Sequence, residues 1–277
     1  MKAYLDIVKT VLNDGVLTQN RTGIPTYTYP HMMFRHDMKD GFPLLTTKKM
    51  AWKTMKTELE FFLNGITDKQ WLKDRNCHIW DEWCNPKKVP SDLSDEDRKE
   101  YQLQENDLGP IYGSQWRAFN GEFDQVSWIV NELNQNPTTR RLVCSAWNPI
   151  KMDQMALPPC HVLWHVWQAN GKLHLCWFQR SVDCGAGLPF NISSYALLLH
   201  LLCKQSEYEE GTISGFLSCC HIYENHLKAM VEQITRDPLP LPTVRTEKFS
   251  SIFDWKCEDT ILENYQSHPA IKLEIAV

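Results

Sequence analysis

Apolar residues that recur every three to four positions predict amphipathic helices along the chain. Residues 2–13 form the first, which ends before an Asp-Gly pair, and residues 52–64 repeat the same pattern before Asn-Gly. Further helices are predicted at 123–135 and 225–235. Residues 191–205 are apolar on nearly every side, so we expect this helix to be central and buried.

Runs of β-branched and aromatic residues between these helices predict strands. The predicted strands cover 141–148, 161–168, 172–179, 213–218, 243–248 and 271–276. Ala169-Asn170-Gly171 is a tight turn that joins two of them. The segment 85–106 is nearly all polar and predicts a surface insertion with one short helix. With no internal repeat and no linker, the pattern favours a mixed α/β (α+β) fold and a single domain over residues 1–277.

Composition narrows the class of protein. The 277 residues are 43% hydrophobic and 23% charged with a net charge of −5, and no apolar run approaches the length of a membrane helix. A mildly acidic chain without a block of Lys and Arg argues against a dedicated nucleic-acid partner and a membrane partner. The N-terminal residues contain acids and a helical pattern where a signal peptide needs an apolar core, so we expect a cytoplasmic protein.

Ten cysteines are present, and none of them forms a CxxC pair, so a zinc site is not favoured and no metal is predicted. Most are expected to be buried, reduced thiols. Cys160 differs because it follows Pro158-Pro159 and precedes His161 and an apolar strand, a position that presents a thiol at the end of a sheet. The alternative is a buried cysteine beside a structural histidine. His161 and His165 are four apart and expected on one strand face, at a spacing that does not favour a metal pair.

Four arginines supply the positive charge that a nucleophilic thiol needs. Arg21 lies in a polar loop, Arg180 follows a predicted strand, and Arg140-Arg141 enter another strand, with their guanidinium groups expected on opposite faces. Gathered by the fold, these groups would form a phosphate pocket. Asn191 either caps the following helix or reads the edge of a uracil ring, because its amide offers both a donor and an acceptor.

Eleven blocks in order along the chain resemble the thymidylate synthase family over essentially its whole length. They are Asn20-Arg21-Thr22-Gly23, Gly41 to Lys49 (GFPLLTTKK), Trp80-Asp81-Glu82-Trp83, Gly109 to Arg117 (GPIYGSQWR), Arg140-Arg141, Ser145 to Asn148 (SAWN), Cys160-His161, Gln179-Arg180-Ser181, Gly187 to Leu198 (GLPFNISSYALL), His221-Ile222-Tyr223 and Glu274 to Val277 (EIAV). The resemblance implies a three-layer fold with a mixed β-sheet packed by helices and a sheet-to-sheet homodimer. It also implies dUMP as substrate and 5,10-methylenetetrahydrofolate as co-substrate.

The resemblance also implies roles for individual residues. Cys160 would attack C6 of the pyrimidine, Arg180 would lower its pKa, and Glu58 would move protons through ordered water. The implied catalytic set is Cys160, Glu58, Arg180, Tyr112, His161, Asp183 and Asn191. The implied nucleotide-binding set is Arg21, Arg140, Arg141, Gln179, Arg180, Ser181, Asn191, His221 and Tyr223, with Arg140 and Arg141 donated across the dimer interface. The implied folate-binding set is Ile79, Trp80, Trp83, Leu157, Asp183, Gly187, Phe190 and Val277.

Two blocks depart from the family pattern. Cys184-Gly185-Ala186 replaces bulkier residues beside the folate, which would leave a void or room for water unless other side chains refill it. Cys219-Cys220 stands where the family has a turn, and Trp164, His165 and Trp167 are candidates for compensating bulk.

A water beside the reacting carbon would give a pyrimidine nucleotide hydroxymethylase, which is the alternative to a synthase, and Glu60 two positions after Glu58 resembles such enzymes. Asn191 favours uracil over cytosine as the base.

A cysteine hydrolase and an inactive binding protein are not favoured. The first would need a separate histidine base and an oxyanion hole, and the second would have lost Cys160 or the arginines.

Overall fold

A computed structural model of the chain describes residues 1–273. Its helices are α1 Lys2–Asp14, α2 Trp52–Leu63, α3 Gln70–Lys73, α4 Asp95–Gln104, α5 Tyr112–Arg117, α6 Gln125–Gln135, α7 Gly187–Ser206 and α8 Leu227–Ile234. Its strands are β1 Val16–Thr18, β2 Thr26–Asp37, β3 Val143–Ser145, β4 His161–Ala169, β5 Lys172–Asp183, β6 Glu209–Tyr223, β7 Thr243–Thr246 and β8 Thr260–Glu263. No helix within these residues is long and apolar enough to cross a membrane.

Six strands form the main sheet, in the order β1-β2-β6-β5-β4-β3. Neighbours pair antiparallel except β5 and β6, which are parallel. That exception follows from the chain order, because α7 connects β5 to β6 and a crossover of this length returns the chain in the same direction. The prediction of a mixed sheet packed by helices is confirmed.

The two faces of this sheet have different surroundings. On β5, the completely buried Leu173, Leu175 and Trp177 alternate with the more exposed His174 and Phe178. The buried face packs against α7, where Tyr195 stacks on Trp177 at 5.0 Å between ring centroids. The core therefore lies between the sheet and α7, as the all-round apolar pattern of this helix predicted.

Several predicted element boundaries are wrong. Helix α7 begins at Gly187, four positions before the predicted start, because Pro189 falls within its first turn, where its missing N–H costs no hydrogen bond. Strand β6 continues to Tyr223, through the two cysteines where the family has a turn. The strand predicted at 141–148 is shorter in the structure, because residues 141 and 142 precede β3. Of the strand predicted at 271–276, residues 271–273 are irregular.

Sequence patterning missed β2 entirely. Only two of its twelve residues, Thr26 and Phe34, are buried, so the strand lacks regular apolar alternation. Pairing with β6 leaves out His31 and Ser218 without a change of register, and His31 has a positive φ of 51°.

The short helix predicted in the segment 85–106 is α4. Ser94 caps its N-terminus by accepting a hydrogen bond from the Asp97 N–H at 3.1 Å. None of the ten residues of α4, all of which are described, is buried.

Candidate active site

Two adjoining cavities open where β4, β5 and α7 approach α2. The larger, which we call the main cleft, has a volume of about 980 Å³, and the smaller, the side pocket, about 410 Å³. Predicted residues that line only the main cleft are Arg21, Tyr112, Cys160, His161, Gln179, Arg180, Ser181, His221 and Tyr223. Those that line only the side pocket are Ile79 and Phe190. Those shared by both are Glu58, Trp80, Trp83, Leu157, Asp183, Gly187 and Asn191.

Cys160 is held by backbone contacts at the entry to β4. Its N–H donates to the Tyr112 hydroxyl at 2.7 Å, and its carbonyl accepts from the Arg180 N–H at 2.9 Å. Burial raises the pKa of the thiol, while the charges of Arg180 and Arg21 act to lower it. Burial is the larger effect, so the net shift is upward, while Arg180 acts in the direction that the resemblance implied.

Arg180 fixes the turn that presents Cys160. Its Nε donates to the Pro159 carbonyl and a terminal nitrogen donates to the Pro158 carbonyl, both at 2.8 Å. The guanidinium carbon lies 5.4 Å from the centre of the Trp147 ring. A charged group held in this way both shapes the site and offers its remaining donors to an anion in the cleft.

His161 is neutral at physiological pH, because burial lowers its pKa to about 3. Its ring stacks on Tyr112 at 4.1 Å, and its Nδ1 pairs with the Tyr195 hydroxyl at 2.7 Å. His165 instead stacks on Trp167, and a register shift between His161 and Leu163 separates the two histidines. The prediction that they share one strand face is therefore wrong.

Glu58 on α2 is poised to exchange a proton near neutral pH. Burial raises its pKa to about 7, opposed by a hydrogen bond that the Trp80 indole N–H donates to the carboxylate at 2.8 Å. A carboxyl group with this pKa is present in both protonation states in the cell. It lies in the wall that the two cavities share.

Asn191 lies inside α7 and therefore does not cap it. Its amide oxygen accepts a hydrogen bond from Gln179 at 3.0 Å, and the Gln179 oxygen accepts from the Trp177 indole at 3.1 Å. This chain fixes the orientation of the Asn191 amide. Its amino group is a donor, and its oxygen has a second lone pair, which together match a ring that carries adjacent C=O and N–H groups.

The side pocket has aromatic walls and polar ends. Trp80 and Trp83 pack edge to face at 6.1 Å, and Phe190 contributes a further ring. Asp183 accepts from the N–H groups of Gly185 and Ala186 at 2.8 and 3.2 Å. Two lysines, Lys48 and Lys49, also line the pocket. These residues suit a planar heteroaromatic ring system with an acidic tail, so they fit a folate.

The space beside Gly185 is filled. A Cβ at this glycine would lie 3.2 Å from Leu273 Cδ1 and 3.3 Å from both His226 Nδ1 and Met230 Sδ. The expected void is therefore absent at this position within residues 1–273. Trp164, one of the candidates for compensating bulk, packs on Trp116, with 5.8 Å between the ring centroids.

Arg140 and Arg141 are exposed and, among the residues described, line neither cavity. Because β3 begins at Val143, they also precede the strand that was expected to direct them to opposite faces. Val277 lies outside the described residues.

Glu60 is buried away from both cavities. It accepts a hydrogen bond from the Cys257 N–H at 2.9 Å and lies 3.8 Å from the Lys256 ammonium. Glu60, Cys257 and Glu258 have ligand-type atoms within 4.8 Å of one another, but Glu60 already has these partners, and the absence of a metal stays a prediction. Glu60 thus gives no support to a second carboxylate beside Glu58.

Sequence reasoning missed several lining residues. Among them are Lys48, Lys49, Glu82, Gln102, Trp147 and Leu273. Gln102 is the least expected, because α4 is mostly polar and has no buried residue that would place one of its faces against the cleft. Tyr195, the partner of His161, was hidden within the apolar run of α7.

Comparison with known proteins agrees with this geometry. A family model described as thymidylate synthase matches residues 2–277. A protein of Malacoplasma penetrans (strain HF-2), named thymidylate synthase, is 41% identical over 290 aligned positions that cover the whole of both chains.

Proposed function

The chain belongs to the thymidylate synthase family, and from that premise we propose that Cys160 attacks dUMP so that C5 can be methylated with 5,10-methylenetetrahydrofolate. Members of the family are folate-dependent methyltransferases of a pyrimidine nucleotide, and this chain is one. One observation supports the assignment of roles above the others: Cys160, two arginines and Asn191 line one cleft that shares a wall with an aromatic pocket.

Cys160 supplies the nucleophile. Its thiolate adds to C6 of the pyrimidine, and the electron pair of the C5–C6 double bond then makes C5 a carbon nucleophile. Sulfur suits this role because it attacks strongly as the thiolate and leaves readily when the product forms. Since burial raises the pKa of this thiol, the charges of Arg180 and Arg21 are needed to offset that penalty.

The phosphate of dUMP binds at the positive end of the main cleft. Arg21, Arg180 and Ser181 line this region, and guanidinium groups match phosphate oxygens in geometry and charge. His221 and Tyr223, which pack edge to face at 5.3 Å, hold the deoxyribose hydroxyl. Asn191 reads the uracil edge with its fixed amide.

Side chains at and near the wall shared by the two cavities transfer the protons. With a pKa of about 7, Glu58 exchanges protons with the base through ordered water. Neutral His161 and Tyr112 form the polar network that helps to remove the C5 proton.

The side pocket holds the folate, which when bound supplies the one-carbon unit and the hydride. Ile79, Trp80, Trp83, Leu157 and Phe190 give the apolar surface for its rings, and Asp183 bonds the pterin. Exclusion of water from this pocket protects the reacting carbon. The cytoplasmic location stays a prediction from the N-terminal sequence.

The active unit is a homodimer formed by the outer faces of two sheets. Met33, Phe178 and Phe216 are 55%, 39% and 48% exposed and lie side by side across β2, β5 and β6. An exposed apolar row of this kind favours burial against a second copy. In such a dimer, Arg140 and Arg141 reach the partner's phosphate site.

Two experiments test the dimer. Phe216→Lys should give monomers in sedimentation, whereas Val231→Lys, which alters an exposed apolar residue on α8, should not. Mixing Arg141→Ala with Cys160→Ala, each inactive alone, should restore partial activity, because one of the two sites in a mixed dimer keeps both residues. A Phe216→Lys variant that stays dimeric would contradict this arrangement. So would a mixture of the two inactive variants that recovers no activity.

The hydroxymethylase alternative is not favoured. The Malacoplasma penetrans relative carries the name thymidylate synthase, the space beside Gly185 is filled, and Glu60 lies away from the cavities. The direct test is to incubate the protein with dUMP and methylenetetrahydrofolate, follow dihydrofolate absorbance and weigh the nucleotide. A methyl mass gain with dihydrofolate is expected, and a hydroxymethyl gain without it would overturn the proposal.

A further inference from the structure

Lys69 places a charged group where no solvent reaches it. Its relative exposure is 0%, yet its ammonium donates three hydrogen bonds, to the carbonyls of Asp81 at 2.7 Å, Trp83 at 2.9 Å and Gln102 at 2.6 Å. A lysine ammonium has three hydrogens, so these carbonyls use its full donor capacity.

The three carbonyls belong to two segments distant in sequence. Asp81 and Trp83 lie in the loop after Trp80 that lines the side pocket, and Gln102 lies on α4 of the polar segment 85–106. Backbone contacts of the α3 region reinforce this junction, since the Lys69 N–H donates to the Asn106 carbonyl at 2.9 Å. The Lys69 side chain therefore links the loop to α4 through hydrogen bonds.

Both segments carry side chains into the cavities. Trp83 lines the main cleft and the side pocket, and Gln102 lines the main cleft beside it. A small movement of either segment would change a wall of the cavities. The polar segment, predicted from its sequence to be a surface insertion, thus contributes to the site.

We propose that Lys69 is a positioning residue that fixes Trp83, which lines both cavities, and Gln102, which lines the main cleft, as one continuous wall. The folate-binding part of this inference rests on the proposed function, whereas the coupling of the two segments does not. The segment 85–106 is then a working part of the site, because Gln102 lines the main cleft beside Trp83.

The buried charge of Lys69 has a cost that its hydrogen bonds offset. Burial lowers the pKa of Lys69, which is the cost of removing its charge from water. The three carbonyl bonds compensate for that cost, and an apolar substitute would leave the buried acceptors unpaired. Lysine thus couples the two segments in a way that apolar packing would not.

Lys73 provides a matched control. Its ammonium donates to the Leu103 carbonyl at 2.9 Å and to the Asn106 side chain at 3.1 Å, so it also anchors the polar segment. Neither of these acceptors lies in the loop of Asp81 and Trp83. Comparing Lys69→Met with Lys73→Met therefore separates coupling of the two segments from anchoring of one.

The first test is amide hydrogen exchange on the unliganded protein. Lys69→Met should speed exchange about tenfold in residues 79–83 and 95–104 together, because one lost group leaves acceptors unpaired in both. Lys73→Met should affect only 95–104, and Lys69→Arg should restore part of the protection. Equal patterns in the two methionine variants, or no change at 79–83, would overturn the coupling whatever the enzyme's activity.

The second test is calorimetric binding of tetrahydrofolate in the presence of dUMP. Lys69→Met should weaken folate binding about tenfold, because Trp83 loses its fixed position, and should leave dUMP binding within about twofold. If Lys69→Met fails to fold, Lys69→Gln, whose amide offers only two donors, decides the folate part, and unchanged folate binding in that variant would overturn it. Failure of the wild type to bind tetrahydrofolate would instead refute the proposed function.

Discussion

The main cleft and the side pocket meet at a shared wall but are built from different material. The cleft takes its groups from the ends of β4, β5 and β6 and from α7, where backbone and side-chain hydrogen bonds fix them, as with Arg180 and Asn191. The pocket takes its apolar walls largely from the loop around Trp80 and Trp83 and from Leu157 and Leu273, and α7 adds Phe190. Most of the directional groups therefore lie on or beside regular elements, whereas most of the apolar area of the pocket comes from connecting segments.

The physical reason lies in how each ligand is recognised. A phosphate and a pyrimidine edge need donors and acceptors in fixed directions, which strand ends and helices provide. A planar ring system needs mainly apolar area at stacking distance, which tolerates small displacements. Variants of the cleft should therefore change chemistry and nucleotide binding, and variants of the pocket should change folate binding.

The largest effect is expected from Cys160→Ser. Turnover should fall by at least about a thousandfold, because an alcohol is a far weaker nucleophile than a thiolate at neutral pH. Binding of dUMP, measured by calorimetry, should stay within about tenfold, since Arg21, Arg180 and Asn191 remain. Turnover close to wild type would remove Cys160 from the mechanism.

Glu58→Gln should lower turnover by roughly a hundredfold at neutral pH, because the amide cannot exchange a proton. The amide oxygen still accepts from the Trp80 indole, so the shared wall should keep its shape. Single-turnover kinetics with saturating substrates would measure the loss. A wild-type rate would assign proton transfer to another group.

The same substitution should stabilise the fold at alkaline pH. The pKa of Glu58 is about 7 in the folded chain against an ordinary value of 4.5, so stability falls as pH rises from about 4.5 to 7. Above pH 7 the loss amounts to up to about 3 kcal/mol in wild type, and Gln avoids it. Urea unfolding should show a more stable variant at pH 8 and little difference at pH 4.

Arg21→Ala should raise the KM for dUMP about tenfold and leave the KM for folate nearly unchanged. Arg21 is exposed in a loop, so its removal should not disturb the fold. Because its charge lowers the pKa of Cys160, iodoacetamide should also modify the variant thiol more slowly at pH 7. An equal rise in the KM for dUMP and the KM for folate would contradict the assignment of the two substrates to separate cavities.

Trp83→Ala is the counterpart on the pocket side. It should raise the KM for folate about tenfold through lost aromatic contact, with dUMP binding changed by no more than about twofold. Calorimetric titration of each ligand would measure the two effects. A larger loss of dUMP than of folate would reverse the proposed assignment of the cavities.

The smallest effect is expected from Ala186→Leu. The added side chain enters the side pocket and should change the KM for folate by about threefold or less, without changing the nucleotide product. Mass spectrometry of the product checks the second point. A shift in the ratio of methyl to hydroxymethyl product would show that this position controls access of water.

The sequence alone determined the parts of this protein that depend on local pattern. The apolar periodicity of α1, α2 and α6 located those helices to within about two residues, and the all-round apolar run located the buried α7. The ordered motif blocks identified the family, and most of the predicted site residues do line the two cavities. Such features are encoded in residues close together in the chain.

Only the tertiary structure decided the contacts between distant segments. Whether Gly185 leaves a void depends on Met230 and Leu273, and whether Glu60 faces the cleft depends on Cys257. Lys69 reaches the carbonyl of Gln102 across 33 positions, and nothing in the local pattern of either residue records the other. A buried polar group takes its partner from whatever the packed fold places beside it, so these contacts emerge only when the whole chain is folded.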